Sequence, residues 1–379
     1  MFENGPVELL EIRQSVRKLA QAEIPAYQNE SYYGTVPLEL FKKLSELGLA
    51  GLSTDEQYGG SSGNPCIIAA VIEELARQDL GPAIFLGVHL MVSGLINRNG
   101  TEAQKEKYLP RLASGEWLGA YALTEPTAGS DAASLKTTAK KDNDIYLLNG
   151  EKCYITSAGW ANLYIVFART DSQAGKDGIS AFIVEASSEG LDVSPPEKKM
   201  GCELSPIASV RFNDVKVPEE NLLGELNKGY RLALAALAGG RVNIAAAANG
   251  LSGSAIKTAL SHLKERKQFG RALIEFQGLQ FMLADMKMKY EAAKLLTEKA
   301  ALALTEHKPS ERIDCSIAKC FATDAAMQIT TDAVQLLGGA GYIKDYKVER
   351  LMRDAKMLQI VEGTNQIQRM LIAREMAKE

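Results

Sequence analysis

The sequence predicts a multidomain α+β protein in which a helical domain, a compact β domain and an antiparallel helical bundle follow one another. Apolar residues recur at three-and-four spacing from Val7 to about Gly115 and again from Gly229 onward, whereas the period falls to two between Trp117 and Leu223. The length of 379 residues also suits two or three domains. We place the domains at 1–116, 117–225 and 226–379.

The N-terminal domain is predicted from four amphipathic segments separated by Gly, Pro and polar breaks: VELLEIRQSVRKLAQAEI, PLELFKKLSELGLAGL, CIIAAVIEELARQ and TEAQKEKYLPRLASG. The first residues include acids and lack an apolar core segment, so they indicate a helix rather than a targeting peptide and favour a cytoplasmic location. The longest uncharged run, Leu80 to Asn97, contains Pro82 and three glycines. It is predicted to be a buried helix, and no integral membrane segment is expected.

The β domain is predicted from short segments rich in β-branched and aromatic residues, among them LYIVFART, ISAFIVEA and ASVRFNDVKV. Two of its connections, LLNGEK and KKDNDI, have the composition of tight turns. After Gly229 the helical segments are 20 residues or longer, and their short connections favour an antiparallel bundle.

Composition excludes several classes of protein. The net charge of −4 and pI near 5.7 give no overall attraction to nucleic acid. Five scattered cysteines and three distant histidines indicate neither a disulfide framework nor a metal site. Rossmann, Walker, HExxH and GxSxG patterns are missing from the sequence.

Three less common stretches could carry chemistry. The turn YALTEPTAGSDAAS could expose backbone N–H groups to a flavin edge or a phosphate, although an ordinary surface turn has the same composition. In CYITSAGWAN, Tyr154, Ile155, Thr156 and Trp160 could form a flat wall or simply belong to a core. In MLQIVEGTNQIQRML, Glu362 would place a negative charge at the C-terminal end of a helix, which costs about 0.3–1 kcal/mol.

These stretches resemble the acyl-CoA dehydrogenase family, and the resemblance runs from end to end and in family order. Three further stretches carry it: ERKQFGRALIEFQGLQFMLADM, QLLGGAGYIKDYKVERLMRDAK and FNDVKVPEENLLGE. The resemblance implies a central β-barrel-like or β-sandwich domain, a C-terminal four-helix bundle and FAD bound between the two. It also implies a homotetramer, formed as a dimer of dimers, that acts on acyl-CoA and passes electrons to electron-transferring flavoprotein in fatty acid β-oxidation.

The resemblance assigns cofactor contacts by motif. Those within one subunit are Tyr121, Ala122, Leu123, Thr124, Ser130, Tyr154, Ile155, Thr156, Thr364 and Gln366. Those from the neighbouring subunit are Arg266, Gln277, Gln335, Leu336, Leu337, Gly338 and Gly339. Ser130 would also touch CoA. From the sequence alone, Arg266 could equally be a cation at a helix C-terminus, but that does not explain the whole ERKQFG motif.

The resemblance identifies Glu362 as the base that removes the α-proton of the thioester while the β-hydrogen leaves as hydride to flavin N5. Apolar neighbours would raise the pKa of the carboxyl, Gly363 would leave space for the thioester, and the Glu362 N–H would polarise its carbonyl. Branches of the family that carry the base on another helix have it where this chain has Gly240. Arg241 resembles an arginine near the substrate, but a surface charge would explain it equally well.

Three departures from the family pattern affect details. Thr127 replaces a glycine, Ala238 replaces an aspartate that helps to hold CoA, and Val361 replaces an aromatic residue. The expected reaction is dehydrogenation to a trans-2-enoyl-CoA. Alternatives are an enoyl-CoA reductase, a dehydrogenase of branched, cyclic or dicarboxylic acyl groups, or a non-catalytic assembly or nucleic-acid-binding member. Acyl chain length is not predictable, because one methylene is worth only about 1–3 kcal/mol in a pocket.

Overall fold

The computed structural model describes residues 6–378, so residues 1–5 and 379 of the predicted terminal domains lie outside it. In the described part of the chain, five α-helices precede the first strand: α1 (Val7–Glu23), α2 (Leu38–Glu46), α3 (Pro65–Gln78), α4 (Leu80–Asn99) and α5 (Glu102–Ala113). Local side-chain hydrogen bonds explain where two of these helices begin. The Asn64 side chain caps α3 ahead of Pro65, and Thr101 and Gln104 form a reciprocal capping box on α5.

Helix α4 lies in the core, as predicted for the uncharged run at Leu80. By length and composition, α4 and the later helix Gly229–Glu265 could each cross a membrane. Their most apolar windows are 78% and 61% buried against the rest of the protein, which is typical of core helices. The apolar character of both is therefore accounted for by packing within the fold.

The central region forms one mixed eight-stranded sheet. Its strands are β1 (Gly119–Ala122), β2 (Thr138–Asp142), β3 (Ile145–Thr156), β4 (Leu163–Arg169), β5 (Ile179–Glu185), β6 (Leu191–Val193), β7 (Ile207–Pro218) and β8 (Leu222–Leu223). The order is β6-β7-β3-β2-β4-β5-β8, and β1 pairs in parallel with β4. Two register shifts interrupt the long β3–β7 pair.

Alternate residues of β4 enter two different cores, as the period-two pattern predicts. Leu163, Ile165 and Phe167 pack with α4 and α5. Tyr164 and Val166 pack with residues of β1, β2, β3, β5 and β7, so one face of the sheet encloses a core of its own. The predicted barrel-like or sandwich-like domain is thus a single mixed sheet that packs around this core.

The C-terminal region contains three long helices and two short ones: α6 (Gly229–Glu265), α7 (Gln277–Thr305), α8 (Glu311–Leu337), α9 (Val348–Leu358) and α10 (Asn365–Met376). A small hairpin, β9 (Lys267–Gln268) and β10 (Arg271–Ala272), joins α6 to α7. The predicted four-helix bundle thus has three long helices, α6, α7 and α8. The two short helices, α9 and α10, both pack against α8. Helix α6 also packs on α3, α4 and β5, which brings all three regions together.

Candidate active site

The loop between α9 and α10 carries Glu362. Helix α9 ends at Leu358, so Glu362 lies four residues beyond it and not at its C-terminal end, which corrects the predicted opposition to the helix macrodipole. Glu362 and Gly363 both adopt left-handed backbone conformations, with φ of 56° and 85°. Such a conformation is strained for glutamate and persists only where the surroundings hold it.

The Glu362 carboxyl group is enclosed although the residue as a whole is only half-buried. Its Oε2 is buried and has no hydrogen-bond partner among the described residues. The group rests on Gly240 of α6, where a β-carbon would lie 2.6 Å from Oε2. Burial raises the pKa of the Glu362 carboxyl to about 7, against the opposing effects of Arg241 and Lys319.

Arg241 lies inside the protein, with only 9% of its surface exposed, so its interpretation as a surface charge is wrong. Its Nε has no hydrogen-bond partner in the described chain. Burial lowers the pKa of Arg241, and the negative charge of Glu362 opposes that change. The arginine and the carboxyl group therefore face each other across the site.

Tyr121 reaches the same site from β1. Its hydroxyl donates to the carbonyl oxygen of Ala233 at 3.3 Å, and its ring packs on Phe167 with centroids 5.1 Å apart. Burial, and then the nearby Glu362, raise the pKa of Tyr121 well above its ordinary value. The fold thus brings β1, α6 and the loop after α9 to one point.

Sequence reasoning missed Lys319, a fully buried residue of α8. Its Nζ donates to the carbonyl oxygen of Gly363 at 3.0 Å and to Oδ1 of Asn365 at 2.8 Å. Burial lowers the pKa of Lys319 to about 8. One signal was present in the sequence. Lys319 is a charged residue in SIAKCFATDAA, where most residues are small, and it lies one helical turn before Thr323.

A second buried lysine, Lys152 of β3, was also missed. Its Nζ donates to the carbonyl oxygen of Leu123 at 3.0 Å and to Oε1 of Glu125 at 2.7 Å. Glu125 in turn accepts from the N–H groups of Lys136 and Thr137 at 2.6 and 2.9 Å. The Lys152–Glu125 pair thus holds in place the predicted flavin segment that follows Tyr121.

The other residues of the two predicted flavin segments differ in exposure. Ala122 and Leu123 are buried, Thr124 and Thr156 are half-buried, and Ser130 and Thr127 are exposed. Tyr154 is 65% exposed with a φ of 57°, whereas Ile155 lies in the sheet core and Trp160 packs on the main helical core. The side chains of Tyr154, Ile155 and Trp160 therefore do not form one wall.

The residues after Glu362 continue the site into α10. The Thr364 hydroxyl caps α10 by accepting from the N–H of Ile367 at 3.3 Å, and Gln366 is exposed beside it. A β-carbon on Gly363 would lie 2.8 Å from Nε2 of Gln368. The left-handed backbone conformation and this close contact both favour glycine at 363.

The remaining predicted cofactor residues lie at the far end of the bundle. Arg266 directly follows the last residue of α6, Gln277 is the first residue of α7, and both are exposed. At the end of α8, Leu336 and Leu337 are buried, whereas Gln335, Gly338 and Gly339 are exposed. Residues 240–265 belong to one continuous helix, in which the 25 steps from Gly240 to Glu265 (265 − 240) rise about 38 Å. The residues around Arg266 therefore lie too far from Glu362 of the same chain to belong to one site with it.

The donors in the two groups suit the two ends of FAD. Hydroxyl and backbone groups at Thr124 and Thr156 match the polar edge of an isoalloxazine ring. A guanidinium and carboxamides at Arg266, Gln277 and Gln335 match a pyrophosphate. The Phe269 side chain, 93% exposed, adds an uncovered apolar surface beside Arg266.

Comparisons with known proteins cover the whole chain. Three family models match: acyl-CoA dehydrogenase N-terminal domain at residues 7–116, middle domain at 120–215 and C-terminal domain at 227–377. The short-chain-specific acyl-CoA dehydrogenase of Megasphaera elsdenii is 45% identical over 373 residues, which cover 96% of this chain and 97% of that protein.

Solved structures give the same result. The butyryl-CoA dehydrogenase of M. elsdenii superposes with a TM-score of 0.95 at 42% identity and full coverage of both chains. A chain from work on the electron-transferring flavoprotein of Acidaminococcus fermentans superposes with a TM-score of 0.96 at 41% identity, also with full coverage.

Proposed function

The chain belongs to the acyl-CoA dehydrogenase family of FAD-dependent oxidoreductases, and we propose that it converts an acyl-CoA thioester to a trans-2-enoyl-CoA with Glu362 as the base. One observation carries the proposal. The carboxyl group of Glu362 has a pKa of about 7 and lies beside Arg241 and Tyr121, and its buried Oε2 has no hydrogen-bond partner in the described chain.

A general base works best when its pKa lies near the working pH. An ordinary glutamate is too weakly basic to remove the α-proton of a thioester efficiently, and burial corrects this at Glu362. Arg241 limits the rise in pKa, so that the carboxylate form is available near neutrality. Gly240 leaves the space that the carboxylate occupies.

Bound FAD would supply the acceptor for the β-hydrogen, which leaves as hydride. The chain's own residues orient the substrate. The N–H of Glu362 would donate to the thioester carbonyl and stabilise the negative charge that develops there, and the absence of a side chain at Gly363 would leave room for the sulfur. Arg241 would stabilise negative charge in the same buried space.

We propose that two subunits share each cofactor. One FAD molecule is shorter than the rise of about 38 Å along α6 from Gly240 to Glu265, the residue before Arg266. The group at Arg266 would therefore hold the pyrophosphate and adenine of a neighbouring subunit's FAD. A dimer is the smallest complete unit, and two dimers would form a homotetramer.

Arg266→Ala should weaken FAD binding and the dimer together, because one side chain would serve both. Sedimentation and flavin absorbance on the same sample measure the two effects. Lys264→Ala, which removes an exposed cation two residues away, is the control. Loss of FAD without any weakening of the dimer would contradict the shared site.

The relatives suggest the substrate class, because two of the matches reported above are named for short-chain or butyryl substrates. We therefore propose a short-chain acyl-CoA as substrate, electron-transferring flavoprotein as electron acceptor, and a role in β-oxidation in the cytoplasm. The alternatives within the family are an enoyl-CoA reductase and a dehydrogenase of branched, cyclic or dicarboxylic acyl-CoA.

Anaerobic mixing with acyl-CoAs of increasing chain length tests the reaction. A four-carbon thioester should bleach the oxidised flavin band fastest, with trans-2-enoyl-CoA as the product. If no saturated acyl-CoA bleaches the flavin while an enoyl-CoA reoxidises the reduced protein, the chain is a reductase. If neither reaction occurs with any thioester, the non-catalytic alternative is correct.

A further inference from the structure

We infer that Lys319 is a positioning residue for the base: its ammonium group holds the Glu362 loop by its backbone and supplies part of the positive charge that the Glu362 carboxylate faces. The inference rests on the proposed function, since it assigns a role relative to Glu362. No motif pointed to Lys319, which lies 43 residues from Glu362 in sequence (362 − 319) and on a different element.

The first argument is geometric. Glu362 and Gly363 are successive left-handed residues, and a loop of this shape needs fixed contacts to remain in place. Lys319 supplies one to the carbonyl oxygen of Gly363 at 3.0 Å. From the opposite side, Nε2 of Gln368 donates to the carbonyl oxygens of Glu362 and Gly363 at 3.1 and 3.0 Å.

Lys319 holds the loop at a second point through Asn365, the first residue of α10. Oδ1 of Asn365 accepts from Lys319 at 2.8 Å, and its Nδ2 donates to Oδ1 of Asp324 at 2.7 Å and to the hydroxyl of Thr323 at 2.9 Å. The ammonium group thus fixes the loop on both sides of Thr364. Movement of Lys319 would be transmitted directly to the backbone that carries the base.

The second argument is electrostatic. Within residues 6–378, no carboxylate forms an ion pair with this fully buried ammonium group at 4 Å or less. The groups that favour its charged form are Cys320, Glu362 and Asp324, whereas Arg241 opposes it. Glu362 faces Arg241 of α6, Lys319 of α8 and Tyr121 of β1. The charge on Lys319 therefore depends partly on the ionisation of the base.

A lysine that only filled the core would behave differently. Replacing it would lower thermal stability but would leave the titration of Glu362 unchanged. If Lys319 acts as inferred, loss of its charge makes the carboxylate less stable, so the pKa of Glu362 rises and the activity profile moves to higher pH. Loss of its hydrogen bonds also loosens the loop.

The experiment compares Lys319→Gln, which keeps N–H donors without charge, with Lys319→Met, which removes both, in the FAD-loaded enzyme. Lys294→Met is the matched control, because Lys294 is a buried lysine of α7 whose ammonium group contacts Glu291, away from the Glu362 loop. Two measurements are made: the pH profile of flavin bleaching, and hydrogen exchange of the peptide 359–368.

Both Lys319 variants should shift the pH profile to higher pH by about one pH unit. Lys319→Met should also lower the high-pH plateau by about 10- to 100-fold and increase exchange in peptide 359–368, because a small misplacement of a base is costly. Lys294→Met should change neither. If Lys319→Met does not load FAD, Lys319→Gln still tests the shift.

A wild-type pH profile and wild-type exchange in Lys319→Gln, with only a lower melting temperature, would overturn the inference. Hydrogen exchange does not depend on activity, so it separates this failure from failure of the proposed function. If Glu362→Gln bleaches flavin as fast as the wild type, the proposed base is wrong, whatever the exchange of the Lys319 variants shows.

Discussion

Two segments of the site are each held by a buried lysine, but the charge of that lysine is balanced in different ways. In the flavin segment, Lys152 donates to the carbonyl oxygen of Leu123 and is paired with Glu125 at 2.7 Å. In the base loop, Lys319 donates to the carbonyl oxygen of Gly363, and its second partner is the neutral side chain of Asn365.

The difference separates a buried ion pair with a structural role from a buried lysine whose charge is coupled to the base. Glu125 has its pKa lowered by Lys152 and by the N–H groups that it accepts from, although burial opposes this, so the pair stays charged near neutral pH. Lys319 has no such ion pair in the described chain, and Glu362, whose pKa is about 7, is one of the groups that favour its charged form. A dedicated carboxylate beside Lys319 would remove the coupling between the loop and the base.

The largest effect is expected for Glu362→Gln, which keeps side-chain size and removes the base. FAD and acyl-CoA binding should survive, while flavin bleaching slows by about 10²- to 10⁴-fold or more. Stopped-flow absorbance checks this, and the pH dependence of the wild type near 7 should disappear. Bleaching within a few-fold of the wild type would show that the proton goes elsewhere.

Glu125→Gln should affect stability rather than chemistry. It leaves the Lys152 ammonium group buried without its counter-charge, a change that typically costs about 3–5 kcal/mol. Thermal unfolding of the holoenzyme measures it. The control is Glu219→Gln, which breaks the exposed Lys141 pair of the same sheet and should cost less than about 1 kcal/mol. Equal effects of the two variants would remove the distinction between the pairs.

The stability of the Glu362→Gln variant should depend on pH in a defined direction. The pKa of Glu362 rises from 4.5 to about 7 on folding, so the folded chain holds that proton more tightly and the wild type loses stability as pH rises between these values. Glu362→Gln should therefore exceed the wild type by at most about 3 kcal/mol at pH 8, with no difference below pH 4.5. A pH-independent difference would contradict the burial of the carboxylate.

The smallest effect is expected for Gly240→Ala, whose β-carbon would lie 2.6 Å from Oε2 and 2.8 Å from Cδ of Glu362. Displacement of the carboxylate should slow bleaching by about tenfold, with a stability cost of about 1–3 kcal/mol. Gly239→Ala is the control, because nothing lies within 4 Å of its β-carbon, and it should be neutral or slightly stabilising. Faster bleaching in Gly240→Ala than in Gly239→Ala would exclude this packing.

Much of the fold was predictable from local patterns, because the periods of three-and-four and of two correspond directly to helix and strand. The buried helix at Leu80 and the alternation in β4 are examples. The end of α9 was not predicted correctly, since the apolar run MLQIV suggested a continuing helix. Gly363 supported the same wrong end, because glycine commonly follows a helix end directly in a left-handed conformation and would place that end at Glu362.

The site was predictable only where a motif carried it. Glu362, Tyr121 and Arg241 lie in such motifs, and the fold brings them together. The burial of Arg241 and the roles of Lys152 and Lys319 depend on contacts between residues 27 or more positions apart, such as Lys152 with Glu125. A single sequence can mark a lysine among small residues, as at Lys319, but it does not show which distant residue that lysine contacts.

The unbroken length of α6 has a genetic consequence if each FAD is shared. A subunit with Glu362→Gln lacks the base but can still bind its neighbour's cofactor. A subunit with Arg266→Ala keeps the base but cannot bind its neighbour's cofactor. In a mixed dimer, both defects fall on one site and the other site is intact. Co-expression of the two inactive variants should therefore restore up to about half of the wild-type activity per mixed dimer, whereas mixing of separately purified, non-exchanging variants should restore none.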